Sequence, residues 1–289
     1  VGFPTTHEFA NPRWSRPEWQ DRIDRLSEQT INEVDGDWCI RSTDGGTTWE
    51  STPHRLPNGG SEHSGPFSLS DGSLGCFGYE LEGDDITVFY YRSSDLGNTW
   101  DRMGCLPHGH VVGTEWPWRL ARGGTLRGPT INERALIEIE PQHFLSMFRS
   151  EPDGLLRQFR TTDGGATWCA EENQSVWGFP PHLLRLSGGA ILCSFSHRAD
   201  PWSIQAMLSY DEGKSWDTEN QIMVHKWSDR PDMGYPVALE VSPGEILTVF
   251  YASRRDRTPD WFRKYGPELN SSQLSPEPDG ILFKKYKLS

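Results

Sequence analysis

The stretch Ser42-Thr43-Asp44-Gly45-Gly46-Thr47-Thr48-Trp49 is one of four copies of a pattern, Ser/Thr-x-Asp-x-Gly-x-Thr/Ser-Trp. The other copies occupy residues 93–100, 161–168 and 209–216. Their Asp residues, at positions 44, 95, 163 and 211, lie 51, 68 and 48 residues apart, and this spacing indicates a repeat architecture. The Asp side chain can accept backbone hydrogen bonds, the Gly provides a positive φ angle, and the Trp anchors the returning strand. The pattern therefore predicts four tight turns of one geometry.

Runs of apolar, β-branched and aromatic residues surround these turns and form a second kind of hairpin in each unit. These hairpins are expected at residues 67–78, 135–147, 183–195 and 237–251. Short strands joined by Gly turns, in units of about 50 residues, are typical of β-propeller blades. The sequence predicts an all-β fold, a single β-propeller over residues 1–289, with five units visible and six blades in all. Residues 281–288 should complete the last blade or pair with the first, and residues 1–34 should form an atypical or truncated first blade.

Composition excludes several classes of partner. The net charge of −13 argues against nucleic acid or an anionic membrane surface. No run approaches the roughly 20 apolar residues of a membrane-spanning helix. The five Cys residues have irregular spacing, which indicates neither a zinc site nor a disulfide framework, and nothing in the sequence indicates a cofactor. Aromatic residues make up 12% of the chain, including 13 Trp, which suits both the packing of propeller blades and a sugar-binding site.

The four turns resemble the Asp-boxes of the sialidase (neuraminidase) superfamily, and the resemblance spans roughly residues 35 to 289. It implies a sialidase-like β-propeller of the broad group of BNR-repeat proteins. In that superfamily Asp-boxes lie at the periphery of the blades, away from the axis where propellers bind ligands, and they also occur in non-enzymatic sorting receptors. The turns therefore imply a fold, and function has to be argued from other residues.

Three further segments resemble the catalytic segments of sialidases. In the stretch from 132 to 149, a Glu opens one strand and an Arg follows 16 residues later, so the resemblance implies that Glu133 activates a tyrosine nucleophile and that Arg149 binds the substrate carboxylate. The stretch Met233-Gly234-Tyr235-Pro236 resembles the segment that holds this nucleophile, which implies that role for Tyr235. Arg198, which precedes the fourth turn, matches another arginine of the carboxylate-binding set.

These residue types suit the chemistry of an acidic sugar. Sialic acid has a carboxylate on its anomeric carbon, so a neutral tyrosine attacks without the charge repulsion that a carboxylate nucleophile would meet. An unperturbed phenol has a pKa of about 10, so Tyr235 needs a base nearby. The planar guanidinium of arginine binds a carboxylate through two parallel hydrogen bonds. His197 and Trp202 complete the substrate-binding residues that we predict.

Two elements of the sialidase pattern are not matched clearly. The Phe/Tyr-Arg-Ile-Pro motif that holds the first arginine of the superfamily does not occur in the chain. The acid/base Asp should precede the first turn, where Asp21, Asp24, Asp35 and Asp37 are all candidates. We take Asp24 as the predicted acid/base residue, with Asp21 as its nearest rival.

The predicted function is retaining hydrolysis of a terminal acidic sugar, with a glycan or oligosaccharide as substrate. An alternative is a lyase on the same fold that cleaves uronate glycans by β-elimination, with His182 or His197 as the base. A second alternative is a non-catalytic propeller that binds glycans.

Overall fold

The computed structural model describes residues 25, 27, 29, 38–57, 65–82, 85–107, 116–119, 125–128, 131–150, 154–171, 176–198, 202–226, 233–252 and 280–288. Gln29 is helical, and the elements with bounds within these ranges are β-strands, which confirms the all-β prediction. Their bounds are β1 (Trp38–Cys39), β2 (His54–Arg55), β3 (Phe67–Ser68), β4 (Leu74–Glu82), β5 (Asp85–Ser93), β6 (Asp101–Cys105), β7 (Trp116–Arg119), β8 (Thr125–Gly128), β9 (Ile131–Glu140), β10 (His143–Ser150), β11 (Leu156–Thr161), β12 (Cys169–Ala170), β13 (Phe179–Arg185), β14 (Ile191–His197), β15 (Ser203–Ser209), β16 (Ile222–Lys226), β17 (Gly234–Ser242), β18 (Glu245–Ala252) and β19 (Gly280–Lys287).

Within the described ranges, the strands form five open sheets, and neighbours along the chain are mostly neighbours in a sheet. From one edge to the other, the strand orders of the sheets are β1-β2, β3-β4-β5-β8-β7, β12-β11-β10-β9, β13-β14-β15-β16 and β17-β18-β19. In the second sheet, β6 also pairs with β5. By its internal contacts the chain separates into two compact units. Unit 1 comprises residues 1–130, 140–144 and 159–170, and unit 2 comprises residues 131–139, 145–158 and 171–289.

Unit 1 is organised around a buried tyrosine on β5. The ring of Tyr90 lies 5.3 Å from that of Phe77, 5.8 Å from that of Phe144 and 5.5 Å from that of Trp168, measured between centroids. These tilted and edge-on contacts are the arrangements that aromatic rings prefer. Gly165 lies so close to Tyr90 that a Cβ atom would collide with the ring.

Unit 2 contains two clusters of buried apolar side chains. One cluster comprises Ala135, Leu145, Met147, Leu156, Val176, Leu183, Ile191, Cys193, Phe195, Met207 and Trp216. The other comprises Leu186, Leu192, Ile204, Ala206, Val224, Met233, Ala238, Ile246, Phe250 and Ala252. Alternate residues of β14, such as Leu192 and Cys193, contribute to different clusters because successive side chains of a strand point to opposite faces. Both faces of the β13–β16 sheet are therefore buried in apolar contacts.

The four repeated turns share one hydrogen-bond pattern. In each, a carboxylate oxygen accepts the backbone N–H of the residue four positions later, at 2.8–2.9 Å, and the other oxygen accepts the hydroxyl of that residue. These hydrogen bonds lower the pKa of Asp44, Asp95 and Asp163 to about 2. The predicted positive φ angle is confirmed at the glycines of the repeated pattern, Gly46, Gly97, Gly165 and Gly213.

The prediction that each pattern Trp anchors its strand in the core is only partly right. Trp168 and Trp216 are buried, but Trp49 is 57% exposed. The sheet beside Trp49, β1-β2, has two residues in each strand and offers little apolar surface to cover an indole ring.

The second set of hairpins is confirmed as β3/β4, β9/β10, β13/β14 and β17/β18. The last strand, β19, pairs with β18 over its whole length, from Gly280 opposite Ala252 to Lys287 opposite Glu245. It therefore completes the last sheet. Apart from residues 25, 27 and 29, the predicted atypical first blade at 1–34 lies outside the described residues. The count of six blades stays a prediction.

Candidate active site

Glu133 and Arg149 meet because both lie at the open end of one hairpin, on its two neighbouring strands. Glu133 lies near the start of β9 and Arg149 near the end of β10, so the turn between the strands returns the chain to the same edge of the sheet. Arg149 Nη1 donates to Glu133 Oε2 at 2.7 Å. The spacing of 16 residues is thus the length of a hairpin, which is why the sequence predicted the coupling.

Tyr235 has an unusual backbone conformation at the start of β17. Its φ angle is +50°, in the left-handed region that non-glycine residues rarely adopt, and the following Pro236 normally restricts the preceding residue to extended conformations. The pairing of β17 with β18 shifts register between Gly234 and Val237, as in a β-bulge. Bulges often direct a side chain at an active site, and strained backbone of this kind concentrates at functional sites.

Gly234 makes this conformation possible. Its φ angle of +139° suits glycine alone, and a Cβ atom there would collide with the hydroxyl and Cβ of Ser196 on β14. The glycine therefore allows β17 to approach β14 closely where the chain presents Tyr235.

Glu133 bridges Tyr235 and Arg149. The hydroxyl of Tyr235 donates a short hydrogen bond to Glu133 Oε1, and Oε2 of the same carboxylate pairs with Arg149. Glu133 is 6% exposed. Burial raises the pKa of Tyr235 well above its usual range, and the adjacent Glu133 carboxylate raises it further, whereas Arg198 and Arg149 oppose the rise. At neutral pH the phenol is therefore protonated, with its proton directed at a carboxylate oxygen.

Arg198 lies near the ring of Tyr235. It follows β14, and its Nε donates to the backbone carbonyl of Met233 at 2.9 Å. Its Nη2 donates to the hydroxyl of Tyr251 at 3.3 Å, and its Cζ lies 5.9 Å from the centroid of the Tyr235 ring. The structure thus brings together four of the predicted site residues, namely Glu133, Arg149, Arg198 and Tyr235.

Two contacting aromatic residues were missed at the sequence level. Tyr251 on β18 stacks on Tyr235, with ring centroids 5.8 Å apart and planes inclined by 23°. Phe179 on β13 lies beneath Arg149, whose Cζ is 4.4 Å from its ring centroid. The sequence signal for Tyr251 was its place in the predicted hairpin at residues 237–251. In the structure, the strand register puts it opposite Gly234.

His197 lies at the end of an aromatic row that starts at Phe179. Trp177 contacts Phe179 edge-on at 4.7 Å and His197 at 5.2 Å, between ring centroids. Through Phe179 this row continues to Arg149. His197 is therefore linked to the Glu133–Arg149 pair through the intervening rings of Trp177 and Phe179.

Trp202 and His182 have other contacts among the described residues. Trp202 is partly buried against the second apolar cluster of unit 2. The Nδ1 atom of His182 accepts the backbone N–H of Ala238 at 3.4 Å, and burial lowers the pKa of His182 to about 4. Asp24 and its rivals at positions 21, 35 and 37 lie outside the described residues.

Over the ranges that the structure describes, no group of three or more His, Cys, Asp or Glu residues is placed to hold a metal ion. Within the same ranges, no helix has the length and apolar character needed to cross a membrane. The described site contains a buried carboxylate, a neutral phenol and two guanidinium groups. Such a set can transfer a proton from phenol to carboxylate and can bind an anion.

Comparison with known families agrees with this picture. The sequence pattern of the BNR repeat-like domain matches residues 18–248, which is most of the chain. The chain belongs to that family. The predicted membership of the sialidase-like BNR-repeat group is thereby confirmed.

Solved structures of other proteins share the fold of this BNR repeat-like chain. A protein of unknown function from Dyadobacter fermentans superposes with a TM-score of 0.65 and 19% identity, covering 95% of this chain and 70% of its own. A Hadza microbial sialidase has a TM-score of 0.55 and 17% identity, covering 77% and 42%. The NanB sialidase from Streptococcus pneumoniae has a TM-score of 0.53 and 16% identity, covering 87% and 35%. These likenesses show a sialidase-like fold.

A curated relative adds a second line of comparison. A xyloglucanase from a Paenibacillus species is 23% identical over 185 residues, which is 56% of this BNR repeat-like chain. The chain spans only 16% of the length of that relative.

Proposed function

We propose that this protein is a glycoside hydrolase that removes a terminal acidic sugar, sialic acid or a related one, with retention of configuration. The observation that carries the proposal is the bridge that Glu133 forms between Tyr235 and Arg149. It joins a neutral nucleophile, a proton acceptor and a guanidinium group by two consecutive hydrogen bonds. The proposal keeps the predicted single domain, a six-bladed β-propeller.

In the first step, Tyr235 Oη forms a bond to the anomeric carbon while its proton passes to Glu133 Oε1. The bond from that carbon to the leaving-group oxygen breaks, and an acid protonates the oxygen; Asp24 is the residue we propose for this acid. In the second step, water attacks the same carbon and gives a proton to Asp24, which restores the acid, while the bond from the carbon to Tyr235 Oη breaks and the proton on Glu133 returns to Tyr235. Two displacements at one carbon retain its configuration.

The raised pKa of Tyr235 fits this sequence of events. A phenol held neutral by burial and by a neighbouring carboxylate is not an anion in the resting site, so it does not repel an acidic substrate. Proton transfer to Glu133 creates the nucleophile only during attack. Arg149 contacts Glu133 and Arg198 lies near the ring of Tyr235, and both would bind the substrate carboxylate, drawing an anion to a chain of net charge −13.

The relatives support the same reaction class. The two similar sialidases and the xyloglucanase are named for acting on glycans. The lyase alternative is less favoured with His182 as its base, because Nδ1 of His182 accepts a backbone hydrogen bond from β17 and burial lowers its pKa to about 4, which makes it a weak base. His197 stays the candidate base for that alternative.

The test is product analysis on a panel of sialylated and uronate-containing glycans. Mass spectrometry should show products that carry one added water, and NMR of the released sugar should show the retained anomer first. Tyr235→Phe should abolish release, whereas Tyr286→Phe, which changes a tyrosine on β19 that contacts Thr248, should not. A product lacking the added water would establish elimination, and no product from any glycan would favour binding alone.

A further inference from the structure

The contacts of Tyr251 give it a place between two groups of the proposed site. Its ring stacks on the ring of Tyr235, and its hydroxyl accepts a hydrogen bond from Arg198 Nη2 at 3.3 Å. Tyr251 lies opposite Gly234 in the β17–β18 ladder, directly beside the register shift that redirects Tyr235. One side chain of a regular strand thus contacts both the proposed nucleophile and a proposed carboxylate-binding arginine.

Arg198 is held at two points of its guanidinium group. Nε donates to the Met233 carbonyl and Nη2 donates to Tyr251, so the orientation of the planar group is fixed from the backbone on one side and from the phenol on the other. A freely rotating arginine side chain loses rotamer freedom when it binds an anion. Restraining it beforehand strengthens binding, because less freedom is lost in the complex.

The stacked rings place a similar restraint on Tyr235. Its backbone is in a left-handed conformation that the surroundings must enforce, and a stacked ring limits rotation of its side chain. The guanidinium carbon of Arg198 lies 5.9 Å from the centroid of the Tyr235 ring. Tyr251 contacts both residues, Tyr235 through its ring and Arg198 through its hydroxyl.

We propose that Tyr251 is a positioning residue that holds Arg198 ready for the substrate carboxylate through its hydroxyl and holds Tyr235 in line for attack through its ring. This inference rests on the proposed function. Its two parts are separable, because Tyr251→Phe removes the hydroxyl and keeps the ring, whereas Tyr251→Leu removes both.

Kinetics with an acidic glycan substrate test the two parts. Tyr251→Phe should raise KM about fivefold and leave kcat within about twofold, in line with the net contribution of one typical hydrogen bond. Tyr251→Leu should also lower kcat, by about tenfold or more, because a small misplacement of a nucleophile is costly. Tyr286→Phe is the matched control, since it removes a tyrosine hydroxyl from the same sheet at a contact with Thr248. In an Arg198→Met background, Tyr251→Phe should have no further effect on KM.

A measurement without substrate separates this inference from the proposed function. In protein carrying ¹⁵N-labelled arginine, exchange of the Nη–H protons of Arg198, one of whose Nη atoms donates to Tyr251, should be faster by about tenfold in Tyr251→Phe than in the wild type and in Tyr286→Phe, with Arg198→Lys assigning the signal. Unchanged exchange would overturn the inference even if the wild type hydrolyses glycans. A KM effect that persists undiminished in the Arg198→Met background would overturn it as well. If the wild type releases no sugar, the proposed function fails, and the exchange rates still decide the positioning role.

Discussion

Replacing Glu133 with Gln perturbs the proposed site with little change in shape. The amide keeps the size of the side chain and an oxygen that can accept from Tyr235 or Arg149, but it has no charge and is not a proton acceptor at neutral pH. Loss of a positioned base lowers kcat by about 10²- to 10⁴-fold, which corresponds to about 2.7–5.4 kcal/mol of transition-state stabilisation.

The structure sets a second expected effect of Glu133→Gln, on stability. Arg149 is paired with Glu133 at 2.7 Å, with side chains only 14% and 8% exposed, so the substitution leaves a largely buried guanidinium without its counter-charge. Breaking such a pair costs about 3–5 kcal/mol when one partner is removed, and the retained amide oxygen should reduce this to about 3 kcal/mol or less. Urea unfolding measures this loss apart from catalysis.

The pKa of Tyr235 decides between two roles for Glu133. The carboxylate is one cause of the raised pKa of Tyr235, so Glu133→Gln should make the phenol ionise more easily. If Glu133 acted only by holding the site in shape, the variant would keep its activity once folded. If it is the base, the folded variant should be slow at pH 7 and should gain activity as pH rises.

The assay for this prediction is kcat at pH 7 to 10 for wild type, Glu133→Gln, Tyr235→Phe and the double variant. The double variant should be no slower than Tyr235→Phe alone, because the two residues act in one step. Glu240→Gln is the matched control, since this carboxylate on β17 accepts the Ser187 backbone N–H at 2.6 Å outside the site. A folded Glu133→Gln protein that keeps more than a tenth of wild-type kcat at pH 7 would refute the reasoning.

Three further predictions concern stability. Burial lowers the pKa of His182 from 6.5 to about 4 in the folded state, so between these pH values the unfolded chain binds more protons and the free energy of unfolding falls as the pH drops. The loss should be about 2 kcal/mol between pH 8 and pH 5. Urea titrations should show that the free energy of unfolding of His182→Asn depends less on pH. Gly234→Ala should lower both the unfolding free energy and kcat, whereas Gly189→Ala, at a positive φ angle with open space around it, should affect stability only, by about 1–2 kcal/mol. Trp168→Ala should cost about 3–5 kcal/mol and Trp49→Ala under about 0.5 kcal/mol in the same titrations, and equal losses would contradict the burial difference.

Local sequence patterns carried most of the information about the fold. The repeated Asp turns were predictable because the hydrogen bonds that each Asp carboxylate accepts from the residue four positions later lie within the eight-residue pattern, and the Gly positions are set by a φ angle that other residues avoid. Exposure of Trp49 was not predictable in the same way, since it depends on how much apolar surface the neighbouring strands supply.

The candidate site shows the same division. Glu133 and Arg149 could be paired from sequence because one hairpin joins them. Their link to Tyr235, 102 residues from Glu133 along the chain, came only from resemblance to a family. Tyr251 was missed because its role depends on the register of β17 with β18 and on the local bulge, neither of which a single sequence specifies.

The identity of the nucleophile is the central claim, and covalent trapping tests it most directly. The protein would be incubated with a fluorinated acidic glycosyl fluoride, in which fluorine beside the anomeric centre slows the second displacement, and then digested and mapped by mass spectrometry. The account predicts one added sugar on the peptide that contains Tyr235, and none in Tyr235→Phe. An adduct on a carboxylate side chain, or turnover of an acidic glycan that persists in Tyr235→Phe, would contradict it.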